Sequence, residues 1–301
     1  MTSRRDALKS LAALTAAGWL PRVARAADAR AFDADAVDAG ADAARAGRSG
    51  ADRIERLGVQ LYTVRAAMNK DMPATLAAVA TLGYREVEFA GYFGRTAAEV
   101  RALLNDHGLT APSTHLALDD VRAKFDATAE FAHTIGVRYL TVASLDMRGI
   151  TTVDDWKRTA DVFNEAGRRA KAAGLRFAYH NHSVEFATVD GRTPMDILVG
   201  GTDPSLVAFE MDLYWATKAG HDPRTFFARF PGRFEMVHVK DATAAPELKM
   251  IDVGSGTIDW RGIFAQHRAA GIRHYFVEHD DPADPMDSIR KSANYLKALT
   301  F

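Results

Sequence analysis

Four polar side chains stand where four apolar runs end. They are His180 in Arg176-Phe-Ala-Tyr-His180, Asp212 in Val207-Ala-Phe-Glu-Met-Asp212, His238 in Phe234-Glu-Met-Val-His238, and Glu278 in Tyr275-Phe-Val-Glu278. A strand buried on both faces reads as a continuous apolar run, so a metal-binding group at its end is not ordinary surface decoration. If the four strands lie side by side, two imidazoles and two carboxylates converge on one point. Mixed nitrogen and oxygen donors suit a divalent transition ion better than Ca²⁺. One such ion is expected, Mn²⁺ or Zn²⁺ first, with Co²⁺ or Fe²⁺ also accommodated. His182 has the same strand parity as His180, so either ring could face inward; the register favours His180.

Eight short runs carry strand character: Gly58–Val64, Arg85–Ala90, Ala111–Leu116, Tyr139–Ala143, Arg176–Tyr179, Val207–Met211, Phe234–Val239 and Tyr275–Val277. Helical patterns separate them, among them Pro73–Leu82, Ala97–His107, Asp120–Ile135 and Asp154–Ala173. Gly83, Gly108, Gly136, Gly174 and Gly271 each follow a helical pattern and precede an apolar residue that enters the next strand, the placement of a helix C-terminal glycine. Pro73, Pro223 and Pro285 suit first helical turns, with Asp222 and Asp284 as N-caps. Strand–helix alternation implies a parallel sheet, and eight units in roughly 250 residues imply a closed (β/α)₈ TIM barrel. An open doubly wound sheet would show fewer strands and a glycine-rich first turn, which Val59-Gln-Leu-Tyr-Thr-Val-Arg65 lacks.

A barrel places its site at the C-terminal strand ends, where the four candidate ligands stand. Gln60, Tyr62, Glu88 and His115 fall near the ends of the first three strands, across the same mouth, as candidate substrate contacts. Trp215 offers a face for a sugar ring or packs on the rim. Lys240 binds a substrate oxygen or pairs with Asp241. Glu185 follows strand five as a loop carboxylate, for substrate hydroxyls or for solvent. Gly254-Ser-Gly256 is either a phosphate cradle or a turn leading to a helix capped by Asp259. His107, His133, His221, His267 and His274 are read as structural.

The N-terminus points to export. Arg4-Arg5, the short apolar stretch Leu11–Leu20 and Val23-Ala-Arg-Ala26 form a charged region, an apolar region and a cleavage site, a secretory signal peptide over 1–26. The paired arginines, with Leu8 and Lys9, resemble a twin-arginine signal. That implies folded export through the twin-arginine machinery and a periplasmic location. Residues 27–52 are rich in Ala and Asp and read as a linker, leaving the barrel over 53–301. No apolar run is long enough for a stable membrane anchor. The chain has no cysteine, 48% apolar residues and a net charge of −1. Stability must therefore come from a core, and a nucleic acid partner is disfavoured.

Residues from about Leu57 to Phe301 resemble the xylose-isomerase-like TIM-barrel superfamily, in its sugar phosphate isomerase/epimerase group. The matching segments are GVQLYTVR, VEFAG, Tyr179-His-Asn-His-Ser-Val-Glu-Phe186, FEMDLYW, HVKD, VGSGTIDW and Glu278. The resemblance implies a divalent metal at His180, Asp212, His238 and Glu278, and a keto- or aldo-sugar substrate. The expected reaction is isomerisation or epimerisation through proton abstraction alpha to a carbonyl and an enediolate stabilised by a Lewis acid. Loss of a beta leaving group from a 3-keto-glycoside starts the same way, and a non-catalytic sugar-binding protein is the third reading. Epimerases of this superfamily commonly carry glutamate at both the strand-five and strand-eight positions. Strand five here offers His180, so Glu278 is the one carboxylate of that pair. A second proton-transfer group would come from His182, Glu185, His115 or Lys240.

Overall fold

The computed structural model of the protein describes residues 51–301. Eight strands, β1 (Leu57–Gln60), β2 (Glu86–Phe89), β3 (Thr110–Leu116), β4 (Tyr139–Val142), β5 (Arg176–His180), β6 (Val207–Asp212), β7 (Phe234–Val239) and β8 (His274–Val277), all pair in parallel and close into a barrel through β1 and β8. The expected signal peptide over 1–26 lies outside the described residues, as does the linker up to residue 50. Asp52, assigned to the linker from sequence, belongs to the barrel. Its amide and carbonyl pair with Phe301 at 2.7 and 3.0 Å, and its carboxylate meets Arg268 at 2.8 Å.

Alternation along the strands sorts side chains into two cores. Inside the barrel, Tyr139, Ala178, Ala208, Met236 and Phe276 form a fully buried apolar plug. Outward-facing residues such as Phe177, Tyr179, Phe209 and Val237 join the larger cluster under the helices. Gly58 completes the plug by having no side chain, since a Cβ there would lie 2.5 Å from the Phe276 ring. Two positions beyond each plug residue stands a buried polar one: Thr141, His180, Glu210, His238 and Glu278. The plug therefore forms the floor of a polar mouth.

The helix signals read from sequence hold. All five punctuating glycines have positive φ, Asp222 and Asp284 cap their helices through side-chain oxygens, and Pro223 and Pro285 sit in first turns. Two segments differ from expectation. The first strand ends at Gln60, because the Gln60 side chain accepts the Tyr62 amide at 3.0 Å and the chain turns there. The pattern Asp120–Ile135 splits into Leu118–Arg122 and Phe125–Ile135. The Asp120 carbonyl accepts the Thr128 hydroxyl at 3.1 Å, in place of a continuing helical amide.

Glu185 also departs from expectation. It is neither a solvated loop acid nor a group aimed at substrate, but a buried brace on the turn Val184–Phe186. Its two oxygens accept the Tyr179 hydroxyl at 2.5 Å and the His182 amide at 2.7 Å. This ties the loop carrying His182 to the outer face of β5. Burial pushes its carboxyl up to about 7, against those hydrogen bonds, which pull the other way. A carboxyl raised in the folded state binds its proton more tightly there than in the unfolded chain. Stability from this group is therefore lost as pH rises from the ordinary 4.5 to about 7.

Glu185→Gln keeps an acceptor for the His182 amide and removes the ionisation. The melting temperature of the variant should fall less than that of the unaltered protein between about pH 5 and about pH 8; equal falls would contradict the assignment. A chain reduced to residues 52–301 should unfold in one cooperative transition at the temperature of the longer chain. Deleting Asp52 as well should lower that temperature, and finding no change would show that the Phe301 pairing contributes nothing.

Candidate active site

The polar mouth contains two groups of side chains able to hold a cation. Asp212, His238 and Glu278 form one, and His115, His180, Glu210 and His238 form the other; within each, ligand atoms lie within 4.8 Å of one another. The quartet expected from sequence is therefore divided. Asp212, His238 and Glu278 come together, while His180 turns its Nδ1 to Glu210 Oε2 at 3.0 Å and keeps its Nε2 3.7 Å from Asp212 Oδ2. The reason is register: His180 pairs with Glu210, two residues short of Asp212. His182 lies outside both groups, its ring 5.0 Å from that of His180 and 5.9 Å from Trp215.

Glu210 was not among the residues singled out from sequence. Its signal was present, because it shares parity with Asp212 inside an otherwise apolar buried run. Asp280 was missed as well; it receives Lys240 Nζ at 2.8 Å.

Three expected substrate contacts form the base of the mouth instead. Glu88 is fully buried and accepts Gln60 Nε2 at 2.7 Å and Ser113 Oγ at 2.5 Å. Its Oε2 also stands 2.7 Å from His238 Nε2 and 3.2 Å from His115 Nε2. Gln60 is consumed by Glu88 and the Tyr62 amide, and the His115 ring is largely covered, its side chain 11% exposed. These side chains hold the imidazoles in place because buried polar groups must find partners. Tyr62 sits on the turn after β1 with the Arg65 guanidinium 4.1 Å above its ring.

Lys240 is fully buried and does not pair with Asp241. Its ammonium lies 2.9 Å from Asp212 Oδ2 and 2.5 Å from Glu278 Oε2. Alternation sends the next residue the other way. Asp241 accepts the amides of Ala242, Gly254, Gly256 and Ile258 and the indole N–H of Trp260. The Gly254-Ser-Gly256 loop thus wraps an internal carboxylate where a phosphate cradle was one reading. A Cβ at Gly256 would lie 2.2 Å from Asp241 Oδ1, so only glycine permits this approach. The helix after it starts at Trp260 with Asp259 as its cap, as expected. Trp215 remains at the rim beside His182 and Lys240, with its indole Nε1 buried and without a hydrogen-bond partner among the described residues.

Burial opposes charge on every member of the mouth, and neighbours decide the balance. Burial, then the Glu210 charge, raises Glu88, with His115 and His238 pulling it back. Burial would raise Glu210 too, but the charges and hydrogen bonds of His238 and His115 hold it well below the usual range. His238 moves well up, because Glu210 and Glu278 outweigh its burial. Burial, reinforced by His238, keeps His180 well below its ordinary value and neutral, with a lone pair to donate. Asp212 is raised by burial, with Lys240 offsetting part of it. Glu210 Oε1 is buried with no hydrogen-bond partner among the described residues. An uncompensated carboxylate oxygen beside neutral imidazole nitrogen fits a bound divalent cation, and the donor set is one that transition ions accept.

Known proteins give this geometry a context. A protein named inosose dehydratase from Geobacillus kaustophilus is 27% identical over 188 residues, covering 55% of this chain and 60% of that protein. The chain thus spans less than two thirds of that relative. Another inosose dehydratase, from Geobacillus thermodenitrificans, is 23% identical over 278 residues, covering 76% of this chain and 93% of that protein. A solved sugar phosphate isomerase/epimerase from Parabacteroides distasonis is 29% identical with a TM-score of 0.73, covering 81% of this chain and 98% of that one. Proteins with enzyme names thus match between 76% and 81% of this chain. The xylose isomerase-like TIM barrel model matches residues 76–299, and the chain belongs to that family.

Proposed function

We propose that the chain removes a proton alpha to the carbonyl of a keto sugar or related keto-polyol, with a divalent metal at the mouth. The observation that carries this reading is the Lys240 ammonium held between Asp212 and Glu278, beside His238, at 2.9 and 2.5 Å. A carboxylate base and a fixed cation there stand within reach of the same small substrate. Asp212, His238 and Glu278 would hold the ion, which when bound supplies Lewis-acid polarisation of the carbonyl oxygen. Glu278 takes the proton, and the Lys240 ammonium, close to both carboxylates, offsets part of the cost of burying the Asp212 charge. His182, on the rim loop fixed by Glu185, is the candidate for returning or delivering a proton. Trp215 provides a face for the ring and an indole N–H for a hydroxyl.

Returning the proton gives an isomerase or epimerase, the outcome favoured by the kinship with sugar phosphate isomerase/epimerase. Expelling a beta hydroxyl or glycosyl oxygen gives a lyase. The second outcome is favoured by two observations: relatives named inosose dehydratase, and His180 in place of a second glutamate. An unphosphorylated substrate suits a loop whose amides Asp241 already occupies. It also suits an enzyme exported by the twin-arginine route, the location proposed from residues 1–26.

Incubation of metal-loaded protein with ketoses, inososes and 3-keto-glycosides in D₂O should incorporate deuterium alpha to the carbonyl. An intact labelled sugar identifies isomerase or epimerase action, and an unsaturated product identifies elimination. Glu278→Gln should slow either by about 100-fold or more, the usual contribution of a general base. Binding without exchange or product for every sugar would leave only a binding protein, and unchanged exchange in Glu278→Gln would remove that residue from the chemistry.

A further inference from the structure

Three imidazoles close on a single oxygen beneath the mouth. His115 Nε2, His180 Nδ1 and His238 Nε2 lie 2.7, 3.0 and 3.1 Å from Glu210 Oε2. Their rings stand in a triangle, with centroids 4.9, 4.4 and 5.1 Å apart. Glu210 is fully buried, and its other oxygen meets no hydrogen-bond partner among the described residues. The arrangement is uneconomical as a purely hydrogen-bonded network. One carboxylate oxygen is crowded by three nitrogens while its twin has no donor among the described residues, which leaves its desolvation uncompensated.

We propose that His115, His180, Glu210 and His238 form a transition-metal site of their own, distinct from the Asp212–His238–Glu278 group. In the unprotonated form that metal binding requires, three imidazoles and one carboxylate are a complete tetrahedral set for Zn²⁺ or Co²⁺. With metal–nitrogen bonds of about 2.0–2.1 Å, neighbouring ligand atoms in a tetrahedron stand about 3.3 Å apart. The nitrogen-to-oxygen distances of 2.7–3.1 Å need to open by only a few tenths of an ångström. Glu88, held by Gln60 and Ser113, approaches the same nitrogens, with its Oε2 3.2 Å from His115 Nε2 and 2.7 Å from His238 Nε2, so these two contacts give way when an ion is bound.

His238 links the two groups. Its Nε2 faces Glu210 and its Nδ1 faces Glu278 at 2.8 Å. An ion below is bound through Nε2, and the Nδ1 side joins it to the group that handles substrate. His180, Glu210 and His238 stand two residues beyond Ala178, Ala208 and Met236, so this site is next to the apolar floor. Its role is to fix the orientation of His238 and His180.

The inference concerns the same mouth as the proposed enolisation and shares His238 with it, but His115, His180 and Glu210 belong to this site alone, so each fails separately. Full-length protein is stripped with chelator, titrated with Co²⁺ alone, and followed by visible absorption and elemental analysis. Zn²⁺ is then used to displace the cobalt. The unaltered protein should develop the intense bands of tetrahedral cobalt. Glu210→Gln and His115→Gln should each lose those bands and one equivalent of tightly held metal. Asp212→Asn should keep them, whatever it does to a second equivalent or to catalysis. X-ray absorption at the zinc edge should show three imidazoles around the tetrahedral ion. Thermal unfolding of each variant identifies any that fails to fold; His180→Gln then takes its place. Tetrahedral bands and metal content unchanged in folded Glu210→Gln or His115→Gln overturn the proposal, as do bands lost only in Asp212→Asn. Loss of activity in Asp212→Asn with the tetrahedral ion retained is the result expected of two separate groups, and full activity there would count against the upper metal group alone.

Discussion

Charge buried above an apolar floor is the constraint on which the rest of this molecule depends. Glu88, Glu210, Asp212 and Glu278 are all nearly inaccessible to solvent and lie on three barrel strands or their ends. An isolated carboxylate in such a place would cost several kcal/mol or would take up a proton. Here each carboxylate is set against an imidazole or an ammonium, with Lys240 and His238 each serving more than one. The plug below prevents water from reaching the cluster from the far end. The barrel thus presents its charges to one side only, where a substrate enters.

The same alternation that makes the floor makes the site. Inward positions carry Ala178, Ala208, Met236 and Phe276, and two residues later His180, Glu210, His238 and Glu278. Outward positions belong to the interface with the helices, where Tyr179 reaches Glu185 and thereby holds the loop bearing His182. Lys240 and Asp241 show the rule at its shortest range. One enters the carboxylate cluster, and its neighbour organises the loop after β7 through four amides and an indole. Adjacent residues in sequence serve separate ends, and neither can substitute for the other.

Family membership and site geometry bear on different questions. Relatives named for dehydration and for isomerisation are both similar to this one chain. What separates those outcomes is how many groups can move protons and on which faces of the substrate. Here the strand-five position holds His180, engaged with Glu210, leaving Glu278 as the carboxylate nearest the ammonium. That arrangement is asymmetric, with a carboxylate at one of the two positions and an imidazole already engaged by Glu210 at the other.

The eightfold alternation, the glycine stops, the aspartate caps and the polar strand ends were legible in the sequence because each rests on local periodicity or turn chemistry. That reading reached the closed barrel and the face on which the site lies. Three of the four expected ligands, Asp212, His238 and Glu278, come together as strand ends must in a barrel. The depth of each residue within the mouth was a matter for the tertiary structure. Barrel strands are staggered, so His180 meets Glu210 before Asp212, and the register between strands is set by packing over the whole circumference. For the same reason Gln60, Glu88 and His115 read as substrate contacts but prove to be the buried base of the cluster. Glu185 read as a loop acid, yet the fold carries that loop back over Tyr179 and buries it. Periodicity says which way a side chain points; only the assembled barrel decides what stands opposite it.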